Sequence, residues 1–457
     1  MTSRRRFLQL TGASAAAAAA ASLPATDAAA GTPGTGQAGP TGLSGPNAAA
    51  LAAILAAAPR WVDCRPLGEL RPELSEAHGR FVTHAGPPVD WAHMSGPQRG
   101  NTIAVILAEG WADTPEAAAR LAARGGITLT PNHEHAGTGS MAGGAGPHTM
   151  VYVTEDRGRI GWSWQEWDRA YGNYGPMALA EARLWDTVIM PALGRAIRHL
   201  DGLDLKPIDA QAIGQLGDDG HCIQDGYTLL VWSAISQAVA DTSSPAVAEQ
   251  VRQVVTAPPR LLGLGLGMAQ GKATMRCVEG IKGSTVITRL ARNGTEVGFS
   301  FSAQPDRWWT GPALPIDFVY ASPDFTPPAA HDMGDSMIRE TYGEGACTGE
   351  ASAILLPQIG LTEAQARRLR LRLAGICVGT HTDLPIAALG GAGPPCGFEV
   401  HRVVGKRFTP HAYTAVAPRH PSGIDPTGPF LSFVGLGVAH FPLKPFLDAA
   451  HALEATR

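Results

Sequence analysis

From Pro131 to Pro147 the chain reads PNHEHAGTGSMAGGAGP, two histidines around a glutamate followed by a run dense in Gly and Ala. Short side chains let a backbone come close to a ligand, and Gly reaches dihedrals that other residues avoid. Residues at i and i+2 share one face of an extended segment. On that geometry His133 and His135 point into one pocket and Glu134 faces away. The stretch therefore reads as the floor of a site on which other polar clusters converge.

The 457 residues are 44% apolar, with a formal net charge of -4. That is ample for a large core and for two or three domains. No Lys/Arg-rich run occurs beyond the extreme N-terminus, so nothing points to nucleic acid. The 55 Gly and 36 Pro imply many turns and irregular connections. Ser3-Arg4-Arg5-Arg6-Phe7-Leu8-Gln9 resembles a twin-arginine export motif, and an alanine-rich stretch to about Leu23 follows it. The expected location is periplasmic or secreted, after export in the folded state. No later stretch is long and apolar enough to span a membrane. Six cysteines, with no C-x-x-C pair, exclude a zinc ribbon and leave the disulfide pairing open.

Thr114 to Arg124 reads as a helix, with Thr114 as cap, Pro115 in the first turn and Gly125 at the end. Pro176 to Leu200 carries apolar residues at helical spacing, and Pro191 is expected to kink or split it. Ala48 to Ala58 and Tyr227 to Ala240 read as further helices. Thr362 to Ala374 opens on a capping box of Thr362 and Gln365. Strands are expected at His148 to Thr154, Thr285 to Thr288, Val297 to Ser302 and Ile316 to Tyr320. Helices and strands are mixed without regular alternation, which points to an α+β fold of mixed layers with Gly/Pro-rich loops. The expected division is a signal over 1–30, a linker over 31–50, an α+β domain over 51–175, a helical region over 176–260 and a second α+β domain over 261–457.

Four clusters carry chemistry. His133-Glu134-His135 would supply metal ligands, or one base with an orienting partner; two loop histidines held by carbonyls are the plain alternative. Gly217-Asp218-Asp219-Gly220-His221 packs two carboxylates and an imidazole between glycines, as a site element or a polar turn. Asp335 and Glu340 in GDSMIRET would serve a ligand, or Asp335 would cap a helix. Arg292-Asn293-Gly294 places an Arg beside a tight turn, suited to a bidentate grip on a carboxylate or to a solvated hairpin. Gly265-x-Gly267 is not a dinucleotide fingerprint, Gly271-Lys272 is not a P-loop, and no G-x-S-x-G elbow occurs. Cys222 beside His221 would be a thiolate nucleophile or a buried thiol.

Taken together, HAGPPVDW (His84 to Trp91), SGPQRG, AEGWA, PNHEHAGTGSMAGG, GDDGHC, ARNGTEVG, MGDSMIRET and HPSGID occur in this order. They resemble the bacterial family numbered eleven-sixteen among the domains of unknown function, which includes a subunit of oxamate carbamoyltransferase. The resemblance runs from about His84 to His440. It implies an α+β fold with a small helical insert, partner subunits, and conversion of oxalurate and phosphate to oxamate and carbamoyl phosphate. The expected function is thus an enzyme acting on a C–N bond of a small carboxylated ureido or amide compound, by carbamoyl transfer or by hydrolysis. A non-catalytic periplasmic small-molecule binder or a subunit of a larger complex is the alternative, and the expected assembly is a homo-oligomer or one with partner subunits. His133, His135, Asp219 and His221 are the expected catalytic residues, and Arg292, Asn293, Asp335 and Glu340 the expected substrate-binding ones. A divalent metal, if present, would sit on His133, His135 and Asp219.

Overall fold

The computed structural model describes residues 45–164, 168–216, 225–257, 262–419 and 433–455. The export motif, Asp219, His221, Cys222 and the HPSGID segment lie outside the described residues. The fold is α+β, with several small sheets wrapped by helices.

After a helix α1 (Pro46–Leu55), strand β1 (Arg60–Pro66) enters a four-stranded antiparallel sheet. A short strand β2 (Phe81–His84) follows, then helix α2 (Gly96–Ala108) and helix α3 (Pro115–Ala123), whose Thr114 side chain accepts the Ala117 N–H. Strand β3 (Thr128–Pro131) pairs with β2 in parallel and delivers the chain into the glycine-rich loop. That loop docks back on β2, where Ala145 O accepts the Thr83 N–H at 2.9 Å and Thr83 Oγ1 accepts the Ala145 N–H at 2.9 Å.

Strands β4 (Met150–Asp156) and β5 (Arg159–Trp164) form a hairpin whose turn uses Arg157 and Gly158, both at positive φ. With β6 (Leu203–Asp204) they complete the sheet in the order β5-β4-β1-β6. Both faces are buried. Tyr152 and Trp61 face a cluster of helices, whereas Val151, Val153, Trp162 and Trp164 face the glycine loop. The helical side is built from α4 (Pro176–Leu184), α5 (Met190–His199), α6 (Asp225–Thr242), α7 (Pro245–Thr256) and α8 (Leu262–Arg276). The stretch expected to break at Pro191 does so through a π-turn at Trp185–Ile189, because Pro has no N–H to continue the α pattern.

Strands β7 (Ile287–Asn293), β8 (Glu296–Phe301) and β9 (Gln304–Pro312) form a second sheet. The Asn293-Gly294 turn joins the first two, with Gly294 at φ 80°. Strand β10 (Asp317–Tyr320) belongs to a third sheet, and the two-residue β11 (Met333–Gly334) extends the second, giving β11-β7-β8-β9. Then come α9 (Ile338–Tyr342), α10 (Glu363–Ile376) with its capping box, the paired β12 (Cys377–Thr380) and β13 (Pro395–Phe398), and α11 (Val400–Lys406). Strands β14 (His411–Val416) and β15 (Gly435–His440) close the third sheet as β10-β15-β14, and α12 (Lys444–Glu454) ends the described chain. A large core joins these strands to α10, α11 and α12. Among the described residues no helix is long and apolar enough to cross a membrane.

The sequence reading had no element at α8. Its glycines mark close packing. A Cβ on Gly161 of β5 would lie 2.2 Å from Ala269 O, and one on Gly267 would lie 2.6 Å from Arg339 Nη1. The glycine loop packs as tightly. A Cβ on Gly144 would stand 1.7 Å from Thr83 O, with no flexible side chain to yield. Gly144→Ala is therefore expected to destabilise the fold by about 3 kcal/mol or more. Gly405→Ala in α11, where nothing lies within 4 Å, should be neutral or stabilising by about 0.5–1 kcal/mol. Urea unfolding of both variants checks the pair, and equal stability would contradict the docking described for the loop.

Candidate functional site

Asp335 is the point at which the motif segments meet. Its carboxylate is fully buried and accepts three hydrogen bonds from two distant stretches. Oδ1 accepts the Gly86 N–H at 2.8 Å. Oδ2 accepts Asn132 Nδ2 at 2.9 Å and the Gly139 N–H at 3.0 Å. In return the Asp335 N–H donates to Gly139 O at 2.9 Å. The loop after β2, the glycine-rich loop and the β11–α9 connection are thereby fastened to one side chain.

Two of the donors are glycine N–H groups for steric reasons. Gly86 sits at φ 90°, and a Cβ there would meet Asn293 Cβ at 2.4 Å. A Cβ on Gly139 would lie 2.3 Å from Gly143 O. Asn132 holds the loop closed from within, donating from Nδ2 to Gly143 O at 3.0 Å as well.

His133 lies beside this clamp. Its Nε2 is 3.8 Å from Asp335 Oδ1, and the imidazole is completely buried. Neither ring nitrogen has a hydrogen-bond partner. The half-buried Trp308 packs edge-on at 6.1 Å and ties its Nε1 to the exposed Glu134 at 2.9 Å. Burial pushes the His133 pKa well down, and Lys272, Arg289 and Arg292 push in the same direction. Burial acts oppositely on the acid: it outweighs the three donors and raises the Asp335 carboxyl to about 7. The result is a neutral imidazole beside an acid poised to exchange its proton near neutrality.

The cations near His133 have few partners of their own. Lys272 of α8 is fully buried, lies 3.3 Å from Glu279 and is lowered to about 7 by burial. Arg289 of β7 shares the same carboxylate at 3.1 Å. Its Nη1 is buried without a partner. This corner carries more positive than negative groups, which suits an anion.

An open cleft of about 610 Å³ lies next to the clamp. Ser95, Arg99, Gly294, Thr295, His331 and Arg419 are among its lining residues. Its wall is continuous with the clamp. Ser95 Oγ donates to Asn293 O at 2.9 Å, and Asn293 packs on Gly86, whose N–H holds Asp335.

Several expected roles change. The Asn132–His135 segment is a 3₁₀ turn, not an extended one. At about 120° per residue its i and i+2 side chains diverge. His135 turns to Thr130 Oγ1 at 2.7 Å, and burial beside Arg71 lowers it to about 4. The two histidines therefore do not share a pocket. Arg292 already grips a carboxylate, but an internal one. Nε and Nη2 take Asp332 at 2.8 and 3.2 Å, and Nη1 donates to Gly334 O at 2.7 Å. Its fork is occupied and cannot hold a substrate in the same geometry.

Asn293 shapes its own turn, with Oδ1 accepting the Thr295 and Glu296 N–H groups and Nδ2 donating to Pro87 O. Glu340 turns to Gly345–Cys347, where Oε1 accepts the Ala346 N–H at 3.4 Å. Asp335, expected to bind substrate or cap a helix, has its carboxylate bonded by three donors of the fold, while Asp219 and His221 lie outside the described residues. Among the described residues no three His, Cys, Asp or Glu side chains are gathered around a metal position. The residues missed were Gly86, Asn132 and Gly139 as clamp donors, and Lys272 as a buried cation. Lys272 stood in the rejected Gly271-Lys272 pair, where only a phosphate loop had been sought.

Comparison with known proteins agrees with the motif resemblance. The family described as "Oxamate carbamoyltransferase subunit AllG" matches residues 127–336. The Escherichia coli (strain K12) protein "Oxamate carbamoyltransferase subunit AllG" is 29% identical over 417 residues, covering 89% of this chain and 96% of that one. "Uncharacterized protein YahG" of the same organism is 29% identical over 382 residues, covering 81% and 78%. The crystal structure of a conserved protein of unknown function from Enterococcus faecalis V583 superposes with a TM-score of 0.84 at 27% identity, over 90% of this chain and 97% of that one.

The site's protonation balance predicts acid lability. His84, His133, His135 and His411 are all lowered by burial. Their contribution is present above pH 6.5 and is lost as pH falls toward 4, because the unfolded imidazoles take up protons that the folded ones refuse. Asp335 and Asp186 are raised, to about 7 and about 6, and work the other way. Their stabilisation is present below about pH 4 and fades as pH rises through those values. With His440 lowered and Asp209 raised by burial as well, five groups against three give a urea midpoint that falls from pH 7 to pH 5. A flat or rising midpoint would show that these histidines are not held neutral.

Proposed function

We propose that this chain acts on a C–N bond of a small carboxylated ureido or amide compound, of the oxalurate type, by carbamoyl transfer to phosphate or by hydrolysis. The observation that carries the reading is His133, sealed and unpartnered beside an acid raised to about 7. The name of the Escherichia coli relative, an oxamate carbamoyltransferase subunit, supports the reaction class. Lys272 and Arg289 match the negative charge of the substrate and polarise its carbonyl. A phosphate or water oxygen bonds to the ureido carbonyl carbon as the C–N bond to the departing amide breaks. His133 takes the proton from the attacking oxygen and gives it to the departing nitrogen, and Asp335 buffers the imidazole. Release of the Trp308–Glu134 hydrogen bond would uncover the ring.

The cleft favours a second reading. Its lining, with the cationic Arg99 and Arg419 beside His331, would hold an anion without converting it. The chain would then be the binding member of an assembly with partner subunits. We also propose that the N-terminal Arg4-Arg5 pair exports the folded chain.

Oxalurate, allantoate and simple amides, each with and without phosphate, distinguish the readings. Turnover by the wild type and a kcat loss of about 100-fold or more in His133→Gln, with KM changed far less, are expected for the enzyme. Thermal stabilisation by a compound that is never consumed would select the binder. No turnover together with no stabilisation across the panel would reject both. For export, cell fractionation should find the wild type outside the cytoplasm and the Arg4→Lys, Arg5→Lys double variant inside it. Cytoplasmic wild type would end that proposal.

A further inference from the structure

The third sheet carries a second group of titratable side chains that the reaction does not use. His411 and His440 stand directly opposite each other at the end of the β14–β15 ladder. Directly opposed residues project from the same face of a sheet. Asp317 of β10 opposes Val438, two residues before His440, and so lies on that face as well, one diagonal step away. His411 is completely buried, and neither of its nitrogens has a hydrogen-bond partner. A buried unpaired polar nitrogen is costly, so the arrangement is unexplained by packing alone. His440 lines a small open cavity of about 310 Å³, together with Asp317, Phe318, Leu361 and Leu369.

The ring centroids of His411 and His440 are 5.6 Å apart, with the planes inclined at 42°. Two imidazoles that each place a nitrogen about 2.0–2.1 Å from one ion have centroids roughly 5–6 Å apart. We propose that His411 and His440 form a binding site for a divalent transition-metal ion of the zinc class, with Asp317 as the third ligand. No three such side chains already surround one point among the described residues. The exposed Asp317 therefore swings inward on binding, and a water from the cavity completes a four-coordinate site. An ion there would tie β14 to β15 and β10 at the end of the ladder.

The test uses the full chain without a histidine tag, stripped with a chelator and titrated with Zn²⁺ by calorimetry and with Co²⁺ by visible absorption. The wild type is expected to bind one ion at this site, with the intense d–d bands of a tetrahedral centre. His440→Gln, at the cavity edge, should weaken binding by about 10–100-fold or abolish it, and Asp317→Asn should weaken it less. Circular dichroism confirms that both variants fold, so the result does not depend on the buried His411. Absence of binding to the wild type would overturn the proposal. So would affinity and spectra unchanged in His440→Gln, or an ion lost only in His133→Gln.

Discussion

One buried carboxylate holds the candidate site together. Asp335 accepts from Gly86, Asn132 and Gly139, which stand 249, 203 and 196 residues away in sequence. Neither of the two stretches they stand on is a long helix or strand that would hold itself in place. Each is a connection, and connections in large proteins gain definition from what they dock on. Burying a carboxyl is unfavourable unless it is hydrogen-bonded, and here three donors from two loops meet that demand at once. The same demand works in reverse: only when both loops are seated is the acid satisfied. Local geometry and long-range assembly are therefore one event at this residue.

The clamp also sets the chemistry beside it. Burial dominates every strong shift near His133, raising Asp335 and lowering His133 and Lys272. A dry site in which acid and base are both pushed toward their neutral forms is suited to moving protons between them. Arg292 shows the contrasting solution in the same neighbourhood. It meets Asp332 through two of its nitrogens and Gly334 O through the third, so its charge is internally matched and serves architecture. What separates a framework ion pair from a reactive group here is whether the partners are all supplied by the fold. For Arg292 they are; for His133 none is.

Much of the fold was legible in the residues. Thr114, the Thr362–Gln365 capping box and the Asn293-Gly294 turn carry local hydrogen-bond instructions, and each element formed where those instructions placed it. Helix α8 was not legible, because LGLGLGMAQGKATMR has glycines where helix propensity wants side chains. Gly267 is explained by Arg339 packing on that helix, and packing is not a local property. The site divides the same way. Asp335 and the glycine loop were recognisable as a group. The divergence of His133 and His135 was not, because the i, i+2 rule depends on an extended backbone and the chain turns as a 3₁₀ helix. The partner of Arg292 was equally hidden, since Asp332 is forty residues away and meets it only through the pairing of β7 with β11.

The two functional readings share a wall. Asn293 closes the turn that lines the cleft, packs on Gly86, and so presses on the residue whose N–H holds Asp335. An anion settling in the cleft would load the Asn293-Gly294 turn, and any displacement would be felt at the acid through a chain of contacts only two residues long. Close-packed interiors transmit such shifts because they have no free volume to absorb them. On either proposed reading, the cleft wall and the buried pair meet at a single turn, because Asn293 is packed against the residue that holds Asp335.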